Sequence, residues 1–380
     1  MNVYLLTLLL AAGIALATAV ALEVYSHRMR VPGVFRVDRG AGERPCWGGV
    51  AVFVAFAVTP FVASALSSKA SEFFSPKSGH FLGFLAAAAI IFTVGLVDDW
   101  KALGYKPKLV VQVVAASGVY AAGYSIDKLA FPWGPEITLG FMAPVLTVLW
   151  IVFFTNAINL IDGRDGVATG VAVLAAVPLA YIAADSQHPT VAIFLVAIAG
   201  AGLGFIPFNL PPATSYLGDS GALLIGFLLG SLSIRAATGV TEAFFFAVPV
   251  VALGFPILDT VLAALRRALD RKHPFGRDAD HIHNRLENAG FGPRGLLLVI
   301  YGISMLFAVA AIVMHGLDVF AVELGILLGF AAVLTLVLAK LGYLVTLWNS
   351  HSIVWLRRRL TFQSEGEAKP LDSGDSTQRS

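Results

Sequence analysis

Residues 141–184 read FMAPVLTVLWIVFFTNAINLIDGRDGVATGVAVLAAVPLAYIAA. Two apolar runs flank one short polar passage that holds Asp162, Arg164 and Asp165, the only charged residues of the stretch. A helix needs about 20 largely apolar residues to cross the hydrocarbon core of a bilayer. The stretch therefore reads as two membrane-spanning helices joined by a tight connection at one face. Working outward, comparable runs lie at approximately 3–22, 48–66, 81–97, 109–124, 190–207, 221–238, 243–263, 295–314 and 319–347; with 141–155 and 166–184 they make eleven. Strand alternation is absent from them, which argues against an outer-membrane barrel. The expected fold is all-α, a polytopic integral membrane protein of about eleven transmembrane helices.

Composition agrees. Of 380 residues 57% are hydrophobic and 13% charged, whereas a soluble domain runs about 45–50% apolar and about 25% charged. A disordered chain and a disulfide scaffold are excluded, the latter by the single Cys46. The net charge of +2 gives no field for a polyanion, so nucleic acid is not an expected partner.

The first run lacks the basic start of a signal peptide and is too long for one, so it reads as a retained anchor. Lys and Arg placement sets the orientation. With the N-terminus outside and the C-terminus inside, twenty-one basic residues fall on the inner side, and Lys69, Lys77, Lys128 and Arg235 on the outer. A miscounted span would invert everything after it and destroy that asymmetry. Residues 1–348 form one multi-span membrane domain and 349–380 a cytoplasmic tail, which turns polar and is expected to be disordered from about 364.

The chemically informative residues lie at the inner ends of these runs. Asp98-Asp99 follow the third. Asn156-x-x-Asn159-x-x-Asp162-Gly163-x-Asp165-Gly166 is read as the whole connection from fifth to sixth. Asn209 and Asp219-Ser220-Gly221 join seventh to eighth, and His281-Ile282-His283-Asn284-Arg285 ends a basic loop between ninth and tenth. Any one of these has an ordinary explanation, since Asp-Gly pairs are common turn chemistry. Adjacent acids beside a membrane are less comfortable, and a neutralising cation is the simplest reason to keep both. The two imidazoles, two residues apart, would point about 200° apart in a helix, so a shared role requires extended backbone there. Carboxylate and amide oxygens without thiolates suit Mg²⁺ or Mn²⁺, and Mg²⁺ characteristically shares its coordination with substrate phosphates. Lys108 and the Arg266–Arg294 loop would hold further phosphate charge. The residues themselves point to a membrane enzyme acting on phosphorylated substrates at the inner surface.

These motifs resemble the polyprenyl-phosphate N-acetylhexosamine-1-phosphate transferases. That family includes bacterial undecaprenyl-phosphate N-acetylglucosaminyl-1-phosphate transferases and the phospho-MurNAc-pentapeptide translocase. The resemblance covers about residues 30–290: Arg44-Pro45 with Gly48-Gly49, Asp98-Asp99 with Lys108 and Gln112, the Asn156–Gly166 stretch, Asn209 with Leu217–Gly221, Pro256-x-x-Asp259, Arg266-Arg267 with Pro274-Phe275, and His281-x-His283-x-Arg285-Leu286. It implies transfer of a sugar-1-phosphate from a UDP-sugar to a polyprenyl phosphate, releasing UMP. It further implies Asp219 as the main Mg²⁺ ligand, with Asn159 a second contact. Asp98, Asp99 and Asp162 belong to the catalytic centre, with Asp98 deprotonating the lipid phosphate and Lys108 holding phosphate. Asp165 and Asn209 line the uridine side, Asn156 and Arg44 belong to substrate binding, and His281, His283 and Arg285 approach the sugar or pyrophosphate. Direct displacement is favoured over an aspartyl intermediate.

The chain departs from the family pattern at two points. Asn284 stands where many relatives carry a further imidazole, and no His lies within Arg36–Arg39. The loop His-Ile-His-Asn-Arg-Leu looks most like that of UDP-N-acetylglucosamine users, so UDP-GlcNAc is the expected donor, ahead of other UDP-N-acetylhexosamines and of the MurNAc-pentapeptide. An ion-coupled transporter is the rival class, and would need its acids near mid-membrane. The resemblance places the protein in the bacterial cytoplasmic (inner) membrane. The product would start a surface polysaccharide such as O-antigen or teichoic acid. Undecaprenyl phosphate and membrane lipid are the implied partners, with a homodimer as a further candidate association.

Overall fold

The computed structural model of the chain describes residues 2–29, 36–38, 43–71, 79–129, 137–236, 247–270 and 281–316, with scattered positions between 325 and 339. Its elements in order are α1 (Val3–Met29), β1 (Arg36–Asp38), β2 (Glu43–Pro45), α2 (Gly48–Leu66), α3 (Ser68–Ser71), α4 (Gly79–Trp100), α5 (Tyr105–Ala121), β3 (Lys128–Leu129), β4 (Ile137–Thr138), α6 (Ala143–Ile161), α7 (Val167–Asp185), α8 (Pro189–Asn209), α9 (Gly218–Ala236), α10 (Ala247–Ala252), α11 (Gly254–Leu269), α12 (Ile282–Asn288) and α13 (Pro293–His315). The strands form two small antiparallel hairpins, β1 with β2 and β3 with β4. Everything else follows from the bilayer, where only a helix satisfies its own backbone groups.

Among the described residues eight helices are long and apolar enough to cross a membrane: α1, α2, α4, α6, α7, α8, α9 and α13. The protein is a polytopic all-α membrane protein, and three of the expected runs differ from these eight. The fourth became α5, which has 17 residues but starts at Tyr105, so that Lys108 lies on the helix. The ninth is broken into α10 and α11 at Leu253. Pro256, in the first turn of α11, has no N–H to continue the ladder across that break. The eleventh is described only at scattered positions, and the tail from 349 lies outside the described residues.

The central helix is α9, buried along nearly its whole length and packed on α2, α4, α6, α7 and α8. Its small residues let neighbours approach closely. A Cβ on Gly226 would stand 2.5 Å from the Phe154 carbonyl of α6, and the Trp150 indole of that helix donates to Gly230 O at 3.1 Å. The same device seats α1 on α8, where a Cβ on Gly200 would lie 2.6 Å from Leu8 O and one on Gly204 would collide with Ala12 O.

Candidate active site

Helix α4 runs past the expected end of its span to Trp100, so Asp98 and Asp99 occupy its last turn. Successive helical residues point about 100° apart, and the two carboxylates therefore diverge instead of sharing one cation. Asp98 turns to α5, where its Oδ2 accepts from Lys108 Nζ at 2.9 Å and its Oδ1 from the Leu103 backbone N–H. Asp99 turns to α9: its Oδ1 accepts from Asp219 N at 2.7 Å, and its Oδ2 from Ser220 N at 3.0 Å and the Ser220 hydroxyl at 2.6 Å. A helix start carries unpaired N–H donors and a partial positive charge. Asp99 satisfies both from a different helix, which fixes the direction of Asp219.

Lys108 Nζ also donates to Asp219 Oδ2, again at 2.9 Å. One ammonium thus bridges two carboxylates from helices far apart in sequence. The first turn of α9 is clamped on its other sides. Gly48 N and Gly49 N donate to the Tyr216 and Leu217 carbonyls at 3.0 and 2.9 Å. A Cβ on Gly95 of α4 would stand 2.5 Å from Ser220 Cα, and one on Gly49 of α2 would collide with the Ser220 hydroxyl. Gly218 takes φ +74° with the Asp99 carboxylate 2.7 Å from where its Cβ would be; that is a left-handed backbone with no room for a side chain.

Asn156 and Asn159 are not in a connection. Helix α6 reaches Ile161, and the loop is only residues 162–166. Buried Ala157, Ile158 and Ile161 continue the packed face and carry the helix onward. Spacing of three then sets Asn156, Asn159 and the capping Asp162 along one side. Asn156 Nδ2 donates to Gln112 Oε1 of α5 at 2.7 Å. Asp162 is buried, within electrostatic reach of Asp99. Asp165 Oδ2 accepts from Ala213 N at 3.0 Å, tying this turn to the 210–217 loop. Asn209 is 2% exposed; its Oδ1 accepts from Thr169 at 2.8 Å and its Nδ2 donates to Ser215 O at 3.2 Å. Both ends of that amide are engaged, which ties α8 to α7 and to the 210–217 loop. Arg44 is half-buried on β2, and the next residue, Pro45, accepts at its carbonyl from Tyr216 N at 2.9 Å.

His281 has extended backbone (φ −62°, ψ 157°) and caps α12. Its ring stacks on that of His283, centroids 5.5 Å apart and 5° from parallel, as a shared role requires. The helical turn that follows, with half-buried Arg285, was not anticipated. Asp259 of α11 holds the pair: its Oδ2 is 2.7 Å from His281 Nδ1 and its Oδ1 accepts from Ile282 N at 2.8 Å. Asp259 is 1% exposed and was missing from the expected site, although Pro256-x-x-Asp259 carried the signal. A Cβ on Gly163 would lie 2.9 Å from His283 Nε2, so the imidazoles press on the Asp162–Gly163 turn. Burial pushes His283 down to about 4, with Asp259 opposing and His281 adding to the shift, which leaves a neutral ring at pH 7.

Beside this turn lies a cavity of about 680 Å³ lined by Arg164, Asp165, Tyr216, Glu287 and Phe291–Leu296 among others, a size suited to a small-molecule ligand. Carboxylates, an ammonium, imidazoles and this cavity all gather at one end of the bundle. The expected sites from four separate connections are thus brought to one region, and Asn209 braces the loop whose Pro211, Pro212 and Tyr216 line the cavity.

Residues 81–237 match the family model described as Glycosyl transferase family 4. A probable undecaprenyl-phosphate N-acetylglucosaminyl 1-phosphate transferase of Bacillus subtilis (strain 168) is 34% identical over 71% of this chain and 73% of its own length. A decaprenyl-phosphate N-acetylglucosaminephosphotransferase of Mycobacterium tuberculosis is 33% identical over 77% and 78%. The phospho-N-acetylmuramoyl-pentapeptide-transferase of Staphylococcus epidermidis is more distant, at 26% identity over 69% and 82%.

Proposed function

The chain belongs to glycosyl transferase family 4, and from that premise we propose that it transfers N-acetylglucosamine-1-phosphate from UDP-GlcNAc to undecaprenyl phosphate or a related polyprenyl phosphate, releasing UMP. The observation that carries the chemistry is Lys108, 2.9 Å from both Asp98 and Asp219 at the end of the bundle where the polar residues gather. Donor and acceptor are both phosphates and repel each other, so catalysis rests on positioning and charge neutralisation.

The acceptor phosphate approaches Lys108 from the bilayer. Asp98 Oδ2 takes its proton, and the freed phosphate oxygen attacks the sugar-bearing phosphorus of the donor. A new phosphoanhydride forms as the old one breaks, with UMP leaving on its own oxygen and electron pair. One anhydride replaces another, so no further energy source is needed. The stacked His281 and His283, braced by Asp259, face the donor side next to the cavity that would take the nucleotide sugar.

Mg²⁺, or Mn²⁺, fits the chemistry of the donors: the Asp98 and Asp219 carboxylates lie close enough to share the Lys108 ammonium, and carboxylate oxygens are the hard ligands Mg²⁺ uses together with phosphate oxygens. Asp219 would hold it with the Asn159 amide oxygen as a second contact, and when bound it would add Lewis-acid charge at the phosphates. The excess of basic residues in the same sequence connections that carry the site residues supports a cytoplasmic-face active site in the bacterial inner membrane.

Incubating the full-length protein with polyprenyl phosphate and a panel of UDP-sugars, and weighing the lipid product, tests the reading. A GlcNAc-pyrophosphoryl lipid is the expected product, formed with Mg²⁺ and lost with EDTA. A product found only with the MurNAc-pentapeptide donor overturns the sugar assignment.

A further inference from the structure

Arg164 sits inside the catalytic turn, between Asp162 and Asp165, yet its side chain leaves that turn. Its NH2 group forms an ion pair with Glu287 and donates to Asn284 Oδ1 at 3.2 Å, both on α12; its NH1 group donates back to Gly163 O at 3.2 Å. The guanidinium therefore bridges the 162–166 turn and the helix that carries His283.

We propose that Arg164 is a positioning residue, a clasp that holds α12 and its two imidazoles against the Asp162–Gly163 turn while the donor occupies the cavity. The inference rests on the transferase reading above for its kinetic arm only.

Three observations carry it. First, α12 is short and anchored at its start by Asp259, through His281 and Ile282 N. Arg164 supplies the second anchor at Asn284 and Glu287, one residue and four residues beyond His283. Two anchors fix the rotation of a short helix, and one leaves it free to turn. Second, Arg164 and Glu287 both line the cavity, so their pair ties one wall to the other. The side chains are 39% and 49% exposed, which makes the tie solvent-screened and able to open for a ligand and close again. Third, Arg164 Nε is buried without a hydrogen-bond partner among the described residues. A residue kept only for stability would not hold a buried donor unpaired. Asn284 fits the same scheme. It cannot carry charge, but its amide oxygen accepts from the guanidinium, so the cation at this corner comes from the facing turn.

The test uses full-length protein with Arg164→Glu, Glu287→Arg and the double exchange. Each single variant should lower kcat for UMP release at least about tenfold, the lower end of what orienting partners contribute. The fall in kcat should exceed any rise in KM for UDP-GlcNAc, because the clasp orients catalytic groups from a wall of the donor cavity. The exchanged pair should recover most of kcat, as coupled partners do. Independently of any substrate, backbone amides of residues 282–288 should exchange hydrogen faster in the singles and return toward wild type in the double. Unchanged kcat and exchange in the singles, or a double variant no better than either, overturns the clasp. A wild-type protein that releases no UMP while the exchange pattern holds instead removes the transferase reading and leaves the clasp standing.

Discussion

Asp99 Oδ2 accepts from both the backbone N–H of Ser220, at 3.0 Å, and the Ser220 hydroxyl, at 2.6 Å. One carboxylate at the end of α4 thus seizes the start of α9, while its neighbour Asp98 faces Lys108. Two adjacent acids that look equivalent as letters have different duties.

That division predicts different phenotypes. Asp98→Asn and Asp219→Asn should each abolish UMP release with little change in thermal midpoint. Asp99→Asn should instead lower the midpoint, since its amide would aim N–H at α9 donors and leave buried groups unpaired, at about 1–3 kcal/mol. Activity assays with melts in detergent separate the two, and a fully active Asp98→Asn would remove Asp98 from the chemistry.

Gly49 is predicted to be intolerant of even one methyl group. A Cβ there would collide with the Ser220 hydroxyl and with the Gly221 backbone nitrogen, and would stand 2.8 Å from the Ser220 carbonyl carbon. Overpacking of this kind costs about 1–3 kcal/mol. Gly49→Ala should lower both the midpoint and kcat, because the displaced turn carries Asp219; Gly13→Ala, with open space around it, serves as the control.

Asp259 should act through His281. Asp259→Asn is expected to reduce kcat by roughly 10–100-fold, the range for partners that orient a functional imidazole. Adding it to His281→Ala should cost almost nothing further, since one acts through the other. Additive losses in the double variant would show that Asp259 works elsewhere.

His283 makes stability depend on acid. Its folded value of about 4 lies below the ordinary 6.5, so the unfolded chain takes the proton first as pH falls. The folded state should therefore lose stability between about pH 6.5 and pH 4 and be indifferent to this group above that window. The loss is on the order of 3 kcal/mol. Melting wild type and His283→Gln across pH 4–8 checks it: the variant should show a shallower acid slope, and equal slopes would contradict the burial argument.

Much of this protein is determined by the chain read in one dimension. Membrane spans are legible because the bilayer sums transfer free energy along a run, so FMAPVLTVLWIVFF declares a span wherever its neighbours end up. The gathering of Asp98, Asp162, Asp219 and His281 at one end of the bundle follows from the same alternation of long apolar and short polar segments. The tertiary structure decided what each polar group faces. Whether Asp98 or Asp99 meets Lys108 depends on a 100° step around α4, and Lys108 reaches Asp219 across 111 positions of sequence. Asn156 and Asn159 became helical because α6 had a face left to bury, and Asn209 turned inward because Thr169 and Ser215 were there to satisfy it. The bracing of His281 by Asp259 and the reach of Arg164 to α12 are likewise properties of packed surfaces. Hydrophobic length is additive along a chain, whereas the direction of a side chain and the identity of its partner exist only once helices have met.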